Sequence, residues 1–203
     1  MAPFQESLSV QSELFLPAEA APAIPGLRYE AAFLARDEEA SLLEVIRSLP
    51  LHAAEYKEYL ARRPVLSFGG SFDYDTNTLC PGEPLDERLL PLRKRVADWL
   101  GVGPGELVHA LVAEYGPGTP LGWHRDVPEF EVVAGVSLGS AARLRFRPYP
   151  PGPVARRKVL ALEPAPPSIY PMEGQAGWGC EDRVPPVKAL RWSITFRTRR
   201  QGR

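Results

Sequence analysis

Cysteine is scarce in this chain: Cys80 and Cys180 are the only two in 203 residues, far apart and outside any C-x-x-C pair. That scarcity argues against a disulfide framework and a zinc finger, and fits a reducing compartment. Long apolar runs are also missing. The N-terminus carries Glu6 and Glu13, lacks a basic stretch and has no apolar run of eight, so neither a secretory leader nor a membrane span is expected. A cytoplasmic, monomeric protein is the expectation. Net charge is nearly absent as well, at -1, which by itself identifies no partner.

What is there is more informative. With 203 residues, 44% hydrophobic and 24% charged, the chain can bury one sizeable core. The near-zero net charge hides an asymmetry: residues 121–203 hold 14 Lys/Arg against 7 Asp/Glu, while residues 1–120 hold 10 against 18. A basic C-terminal half suits a polyanion partner as readily as a solvated face. The 23 prolines each remove a backbone donor, so they mark loops and edges and argue against a long-helix protein.

Residues 1–26 contain Pro17, Pro22 and Pro25 and read as an extended arm, leaving residues 27–203 as a single domain. Asp37 is a good N-cap for a helix running to Ser48. A second helix is expected from Ala53 to Arg63, stopped by Pro64, and a third from about Asp86 to Leu100, stopped by Gly101. Between them, Val65 to Asp75 reads as a strand breaking into a Gly-hinged loop that bears aromatics. From Leu107 the pattern turns to short strands: Leu107–Tyr115, Val132–Leu138, Arg143–Arg147, Lys158–Leu162, Ser168–Met172 and Arg191–Arg197. The proline-rich stretch 148–153 is short enough for a hairpin loop. Helices first and strands after predict an α+β fold in which a double-sheet barrel carries the chemistry.

Two segments carry that chemistry. In Tyr115-Gly-Pro-Gly-Thr-Pro-Leu-Gly-Trp-His-Arg-Asp126 a strand ends in a turn and delivers His124 and Asp126. Residues two apart on extended chain point the same way, so imidazole and carboxylate can converge on one metal and supply two ligands of a facial triad. Alone this is weak, because about 0.1 His-x-Asp matches are expected by chance at this composition. In Leu190-Arg-Trp-Ser-Ile-Thr-Phe-Arg197, Arg191, Ser193, Thr195 and Arg197 share one face and Trp192, Ile194 and Phe196 the other. The apolar face is core. The other turns two guanidiniums either to solvent or into a cavity, where they would need an anion such as a dicarboxylate.

The combination and its order resemble the AlkB-like iron(II)/2-oxoglutarate-dependent dioxygenases, and a bacterial branch of them in particular. The motifs are Phe68-Gly-Gly-x-Phe-Asp-Tyr-Asp75, Leu90-Pro-Leu-Arg93, Ala110 to Tyr115, His124-x-Asp126, Val136-Ser-Leu-Gly139, Arg143-Leu-Arg-Phe-Arg147, Pro185-Pro-Val187 and Arg191-x-Ser-x-Thr-Phe-Arg197. The resemblance covers roughly residues 45–200. It implies a double-stranded β-helix, the jelly-roll or cupin-like barrel, with N-terminal helices packed on one sheet. It further implies Fe(II) and 2-oxoglutarate as cofactors, dioxygen as cosubstrate, and alkylated DNA or RNA as substrate in a DNA-repair demethylase reaction. Residue by residue, it implies His124 and Asp126 as catalytic metal ligands and Arg191, Arg197 and Tyr115 as the cosubstrate clamp. Phe72 or Tyr74 would stack on the substrate base.

The chain departs from this family at one place. Where the family has its distal metal-binding histidine, three residues before Pro185, this sequence has Asp182, and no histidine follows Asp126. Gly177 and Cys180 replace neighbouring family residues. Either Asp182 is the third metal ligand, giving one histidine with two carboxylates and a preference for harder ions such as Mn²⁺ or Mg²⁺, or it is too short to reach. In the second case the protein is a silent relative that binds nucleic acid or 2-oxoglutarate without turnover. A third possibility is an altered copy of a segment that once had the full triad.

Overall fold

The computed structural model describes residues 24–56, 59–73, 78–152 and 159–201. In chain order the strands are β1 (Glu30–Ala31), β2 (His52–Tyr56), β3 (Tyr59–Phe68), β4 (Ser71–Asp73), β5 (Thr78–Cys80), β6 (Leu107–Tyr115) and β7 (Leu121–His124). Then follow β8 (Phe130–Leu138), β9 (Leu144–Pro148), β10 (Leu160–Leu162), β11 (Ser168–Met172), β12 (Cys180–Val184) and β13 (Arg191–Arg199). The helices are α1 (Arg36–Arg47), α2 (Leu90–Leu100) and the one-turn α3 (Gly174–Trp178). Among the described residues no helix is long and apolar enough to cross a membrane.

A seven-stranded sheet runs in the order β1-β11-β8-β13-β6-β3-β2, and a four-stranded sheet in the order β10-β9-β12-β7. Their ladders are antiparallel throughout. Period-two alternation sorts the large sheet into two apolar faces. Val112, Val136, Ile194 and Phe196 meet α1 and α2 through Ile46, Leu92 and Val96. Ala113, Tyr115, Val133 and Tyr170 meet Leu144, Phe146, Cys180 and Val184 of the small sheet. The result is the expected double-sheet jelly roll with N-terminal helices on one sheet, and the cavity lies between the sheets.

Local chemistry explains the two main helices. Asp37, Glu38 and Glu39 fill the first turn of α1 and Arg47 its last, each sign opposing the helix dipole. The cap is Ala35, not the predicted Asp37; Glu38 accepts the Ala35 amide at 2.7 Å and closes the turn from inside. A 3₁₀ turn capped by Asp86 leads into α2, which ends at Gly101 in the left-handed region, φ 76°.

The helix expected over Ala53–Arg63 is wrong. Its described residues form β2 and β3, a hairpin pairing Ala53 with Pro64 and Tyr56 with Tyr59. Helix-favouring Ala, Glu and Leu are outweighed because β3 fills a place beside β6, pairing Val65 with Ala113 and Phe68 with Ala110; ladder bonds and burial exceed propensity differences of tenths of a kcal/mol. Of the N-terminal arm, residues 1–23 lie outside the described residues. Ile24 is buried, and the carbonyls of Pro25 and Gly26 accept from Ala176 and Glu173 at 3.1 and 3.0 Å.

Candidate functional site

The cavity between the sheets is lined by Arg63, Tyr115, His124, Asp126, Asp182, Arg191 and Arg197, with Tyr170, Ser193 and Thr195 among them. Two strands and the loop after one of them contribute the acidic and imidazole groups. As expected, the strand that precedes His124 ends at Tyr115. The chain then turns through Gly118, φ 82°, and crosses to the small sheet as β7. His124 there pairs in register with Asp182 of β12, a strand not foreseen from the sequence.

That register brings His124 Nε2 to 3.8 Å from Asp182 Oδ1, too far for a hydrogen bond. The other ring nitrogen, Nδ1, lies 3.1 Å from the carbonyls of both Gly122 and Asp182. Two acceptors around Nδ1 require the proton there, which leaves the Nε2 lone pair for a ligand. Burial raises the Asp182 carboxyl above its ordinary value, and nearby Asp126 adds to this while His124 opposes it. Asp126 goes the other way. Burial would raise it, but the Arg197 guanidinium and His124 outweigh that and hold it below the usual carboxylate range.

Arg197 Nε and Nη2 both donate to Asp126 Oδ1, at 3.0 and 2.8 Å. Its Nη1 contacts Thr195 Oγ1 at 2.8 Å and His109 Nδ1 at 3.2 Å. Burial and Arg197 push His109 down to about 3, so it is a neutral acceptor for that guanidinium. Arg191 is different. It is 1% exposed, donates from Nη2 to Ser137 Oγ at 3.2 Å, and leaves Nε without a partner. No described carboxylate pairs with it, although a buried guanidinium needs an anion. Its guanidinium lies 4.9 Å from the Tyr115 ring centre, and Arg63 Nη1 donates to the Tyr115 hydroxyl at 2.8 Å.

Gly135 shapes the same wall. A Cβ there would sit 2.5 Å from the Tyr170 ring, so only glycine lets that ring lie across β8 and line the cavity.

The expected residues His124, Asp126, Asp182, Tyr115, Arg191 and Arg197 therefore meet around one cavity. Phe72 lies on β4, but its side chain is outside the described residues, as is all of Tyr74. Sequence reasoning missed Arg63, hidden in the mistaken helix, and His109 and Ser137, whose roles come from cross-strand pairing. The donors fit a divalent cation in kind. Nε2 of His124 is free, Asp182 faces it, and Asp126 keeps Oδ2 uncommitted because both Arg197 bonds go to Oδ1. As they stand, no three His, Cys, Asp or Glu side chains among the described residues converge closely enough to hold a metal.

Residues 52–197 match the family described as the 2OG-Fe(II) oxygenase superfamily. Among solved structures the chain is similar to OsALKBH1, with TM-score 0.66 and 15% identity over 86% of this chain and 97% of that one. It is also similar to a prolyl-4-hydroxylase from Pseudomonas putida, with TM-score 0.56 and 18% identity over 91% and 97%. A third similar structure is a Trichoplax adhaerens prolyl hydroxylase in complex with a hypoxia inducible factor oxygen degradation domain peptide fragment, with TM-score 0.61 and 15% identity over 90% and 86%. At such identities what is shared is the fold. No curated protein sequence matches the chain.

Proposed function

The chain belongs to the 2OG-Fe(II) oxygenase superfamily, and from that premise we propose an AlkB-like dioxygenase that oxidatively removes alkyl groups from nucleobases of DNA or RNA. Its cofactors are iron(II) and 2-oxoglutarate, with dioxygen as cosubstrate. The observation that carries the reading is Arg191: a guanidinium 1% exposed, without a described carboxylate partner, in the same cavity as His124 and Asp182. Such a charge is stable there when a ligand carboxylate completes it.

The metal, when bound, supplies the oxidising power that hydroxylates the alkyl carbon while 2-oxoglutarate becomes succinate and carbon dioxide. His124 through Nε2, Asp126 through Oδ2 and Asp182 through Oδ1 would hold it. Arg197 orients Asp126 by gripping its other oxygen, and Ser137 orients Arg191. Arg191, with Tyr115 and Arg63 beside it, would take one carboxylate of the cosubstrate, and Arg197, bonded to Asp126, would lie nearer the metal ligands. The hydrophobic shell of Val133, Leu144 and Val184 limits water at the clamp. Once hydroxylated, the alkyl group leaves as an aldehyde and the ring nitrogen keeps the bonding pair. Nucleobases are favoured by the AlkB-type motif order, by the OsALKBH1-like fold and by the basic C-terminal half. The stacking role assigned to Phe72 or Tyr74 rests on resemblance alone.

One observation favours a second reading, a silent relative: Asp126 is already engaged by Arg197, and among the described residues no ligand trio converges. Anaerobic ferrous titration followed by succinate and aldehyde assays with an alkylated oligonucleotide separates the two. Metal binding with both products supports the dioxygenase. Metal or 2-oxoglutarate binding without succinate supports the silent relative.

A further inference from the structure

The small sheet turns one face to the cavity and the other outward, and the outward face is dominated by arginine and aromatic side chains. Strand alternation decides this. On β9, Leu144 and Phe146 enter the core and leave Arg145 and Arg147 on the opposite face, both part-buried, with the Arg147 side chain 18% exposed. On β12, Cys180 and Val184 are buried and Asp182 lines the cavity, leaving Glu181 and Arg183 part-buried on the opposite face. Trp123 lies between Arg147 and Arg183, whose guanidiniums are 4.3 and 5.4 Å from its ring centre. Arg125, between His124 and Asp126, lies 3.7 Å over the ring of Tyr149, which is 44% exposed. It also donates to the Trp178 carbonyl at 3.3 Å.

Among the described residues the charges on this face are not balanced. Glu181 sits opposite Arg147 and closes an ion pair at 2.6 Å. The next rung sets Arg145 directly opposite Arg183. Neither pairs with a carboxylate among the described residues, and Arg183 Nε is buried without a partner. Like charges facing each other across a ladder cost stability unless an anion lies over them. Guanidiniums alternating with aromatic planes suit a chain whose phosphates and bases alternate. Because Trp123 and Arg125 flank His124 on either side, the face continues to the mouth of the cavity.

We propose that this outer face is a docking surface for single-stranded nucleic acid, with Arg145 and Arg183 on phosphates and Trp123 and Tyr149 as stacking platforms. The proposal rests on the nucleobase reading above and extends it to the surface that holds the rest of the substrate strand.

The test is fluorescence anisotropy with a labelled single-stranded oligothymidylate over a salt series, using the full chain. Replacing both Arg145→Gln and Arg183→Gln should weaken binding about tenfold or more and reduce the slope of log affinity against log salt by about one to two. Arg145→Lys with Arg183→Lys should restore the slope, which keeps the test decisive if the glutamine variant misfolds. Trp123→Ala should weaken binding with the slope unchanged. Affinity for 2-oxoglutarate should not move in the arginine variants, whose side chains face away from the clamp. If the wild type binds the oligonucleotide and the glutamine variant binds it equally well, the surface is wrong and the nucleobase reading survives. Wild-type binding to phosphatidylserine vesicles but not to the oligonucleotide overturns the surface in favour of a membrane. Binding through this face with no alkyl group removed supports the surface and refutes only the proposed reaction.

Discussion

Replacing Arg191 by Met tests the clamp most directly, because the wild-type side chain has an unusual status. It is 1% exposed, hydrogen-bonds the neutral Ser137 hydroxyl, and faces no described carboxylate. Two opposite effects follow. In the presence of 2-oxoglutarate, the variant leaves a buried ligand carboxylate unpaired, which costs about 3–5 kcal/mol. At about 1.4 kcal/mol per decade, affinity falls roughly 100-fold or more. Without the ligand, the variant removes an uncompensated buried charge and substitutes an apolar chain of similar length, a change that is neutral or stabilising by about 1–4 kcal/mol. Anaerobic scanning calorimetry reads both. Wild type at a hundredfold excess of 2-oxoglutarate over Kd should gain about 2.7 kcal/mol, or roughly 5–11 °C in Tm for a domain of this size. The variant should show an unchanged or higher Tm alone and almost no ligand shift. A variant that melts lower alone and keeps the full shift would refute the idea that Arg191 waits for an anion.

Three further outcomes are expected. Asp182→His should tighten ferrous binding on the order of tenfold or more, because a neutral imidazole completes the usual facial triad; a folded variant whose metal titration matches the parent shows that Asp182 already ligates. Gly135→Ala drives a Cβ to 2.5 Å from the Tyr170 ring and should cost about 1–3 kcal/mol in urea unfolding, whereas an unchanged midpoint means the ring moves freely. His109 is pushed down to about 3 by burial and Arg197, so it folds neutral. Its contribution is full above about pH 6.5 and is lost as pH falls toward 3, by up to about 1.4 kcal/mol per pH unit. His109→Gln should flatten stability against pH in that window, and an undiminished slope assigns the acid sensitivity elsewhere.

The legible parts of the fold were those with strong period-two patterning. Leu107–Tyr115 and Ser168–Met172 appear with the bounds expected, and β13 places its arginines and its apolar residues on the faces the alternation predicts. β2 and β3 were illegible because helix-favouring residues there are overruled by a partner strand distant in sequence. β7 and β12 were missed for a related reason. Gly122 interrupts one, and Glu181, Asp182 and Arg183 make the other look like a polar loop, because its outward side chains are charged and its inward carboxylate lines a cavity. Arg63 and His109 carried no local signal, since each gains its role from a residue tens of positions away, Tyr115 and Arg197.

Arg63 alters the argument about Asp182. On sequence alone, a second carboxylate neutralises a divalent ion and weakens its hold on an anionic cosubstrate. In the structure the cavity walls carry three guanidiniums, Arg63, Arg191 and Arg197, against two carboxylates, Asp126 and Asp182. A divalent ion would then leave the lined space formally at plus three, and a dicarboxylate would still enter a positive site. The local field near a bound metal would be weaker than with two histidines, but the part of the cavity where Arg63 and Arg191 flank the Tyr115 ring at 5.6 and 4.9 Å would compensate for it. Cosubstrate affinity should therefore depend more on that part than on the metal. Arg63→Met should weaken 2-oxoglutarate binding in the metal-free protein as much as in the metal-loaded one. A loss seen only with metal present would place the cosubstrate's hold at the ion and refute this division of charge.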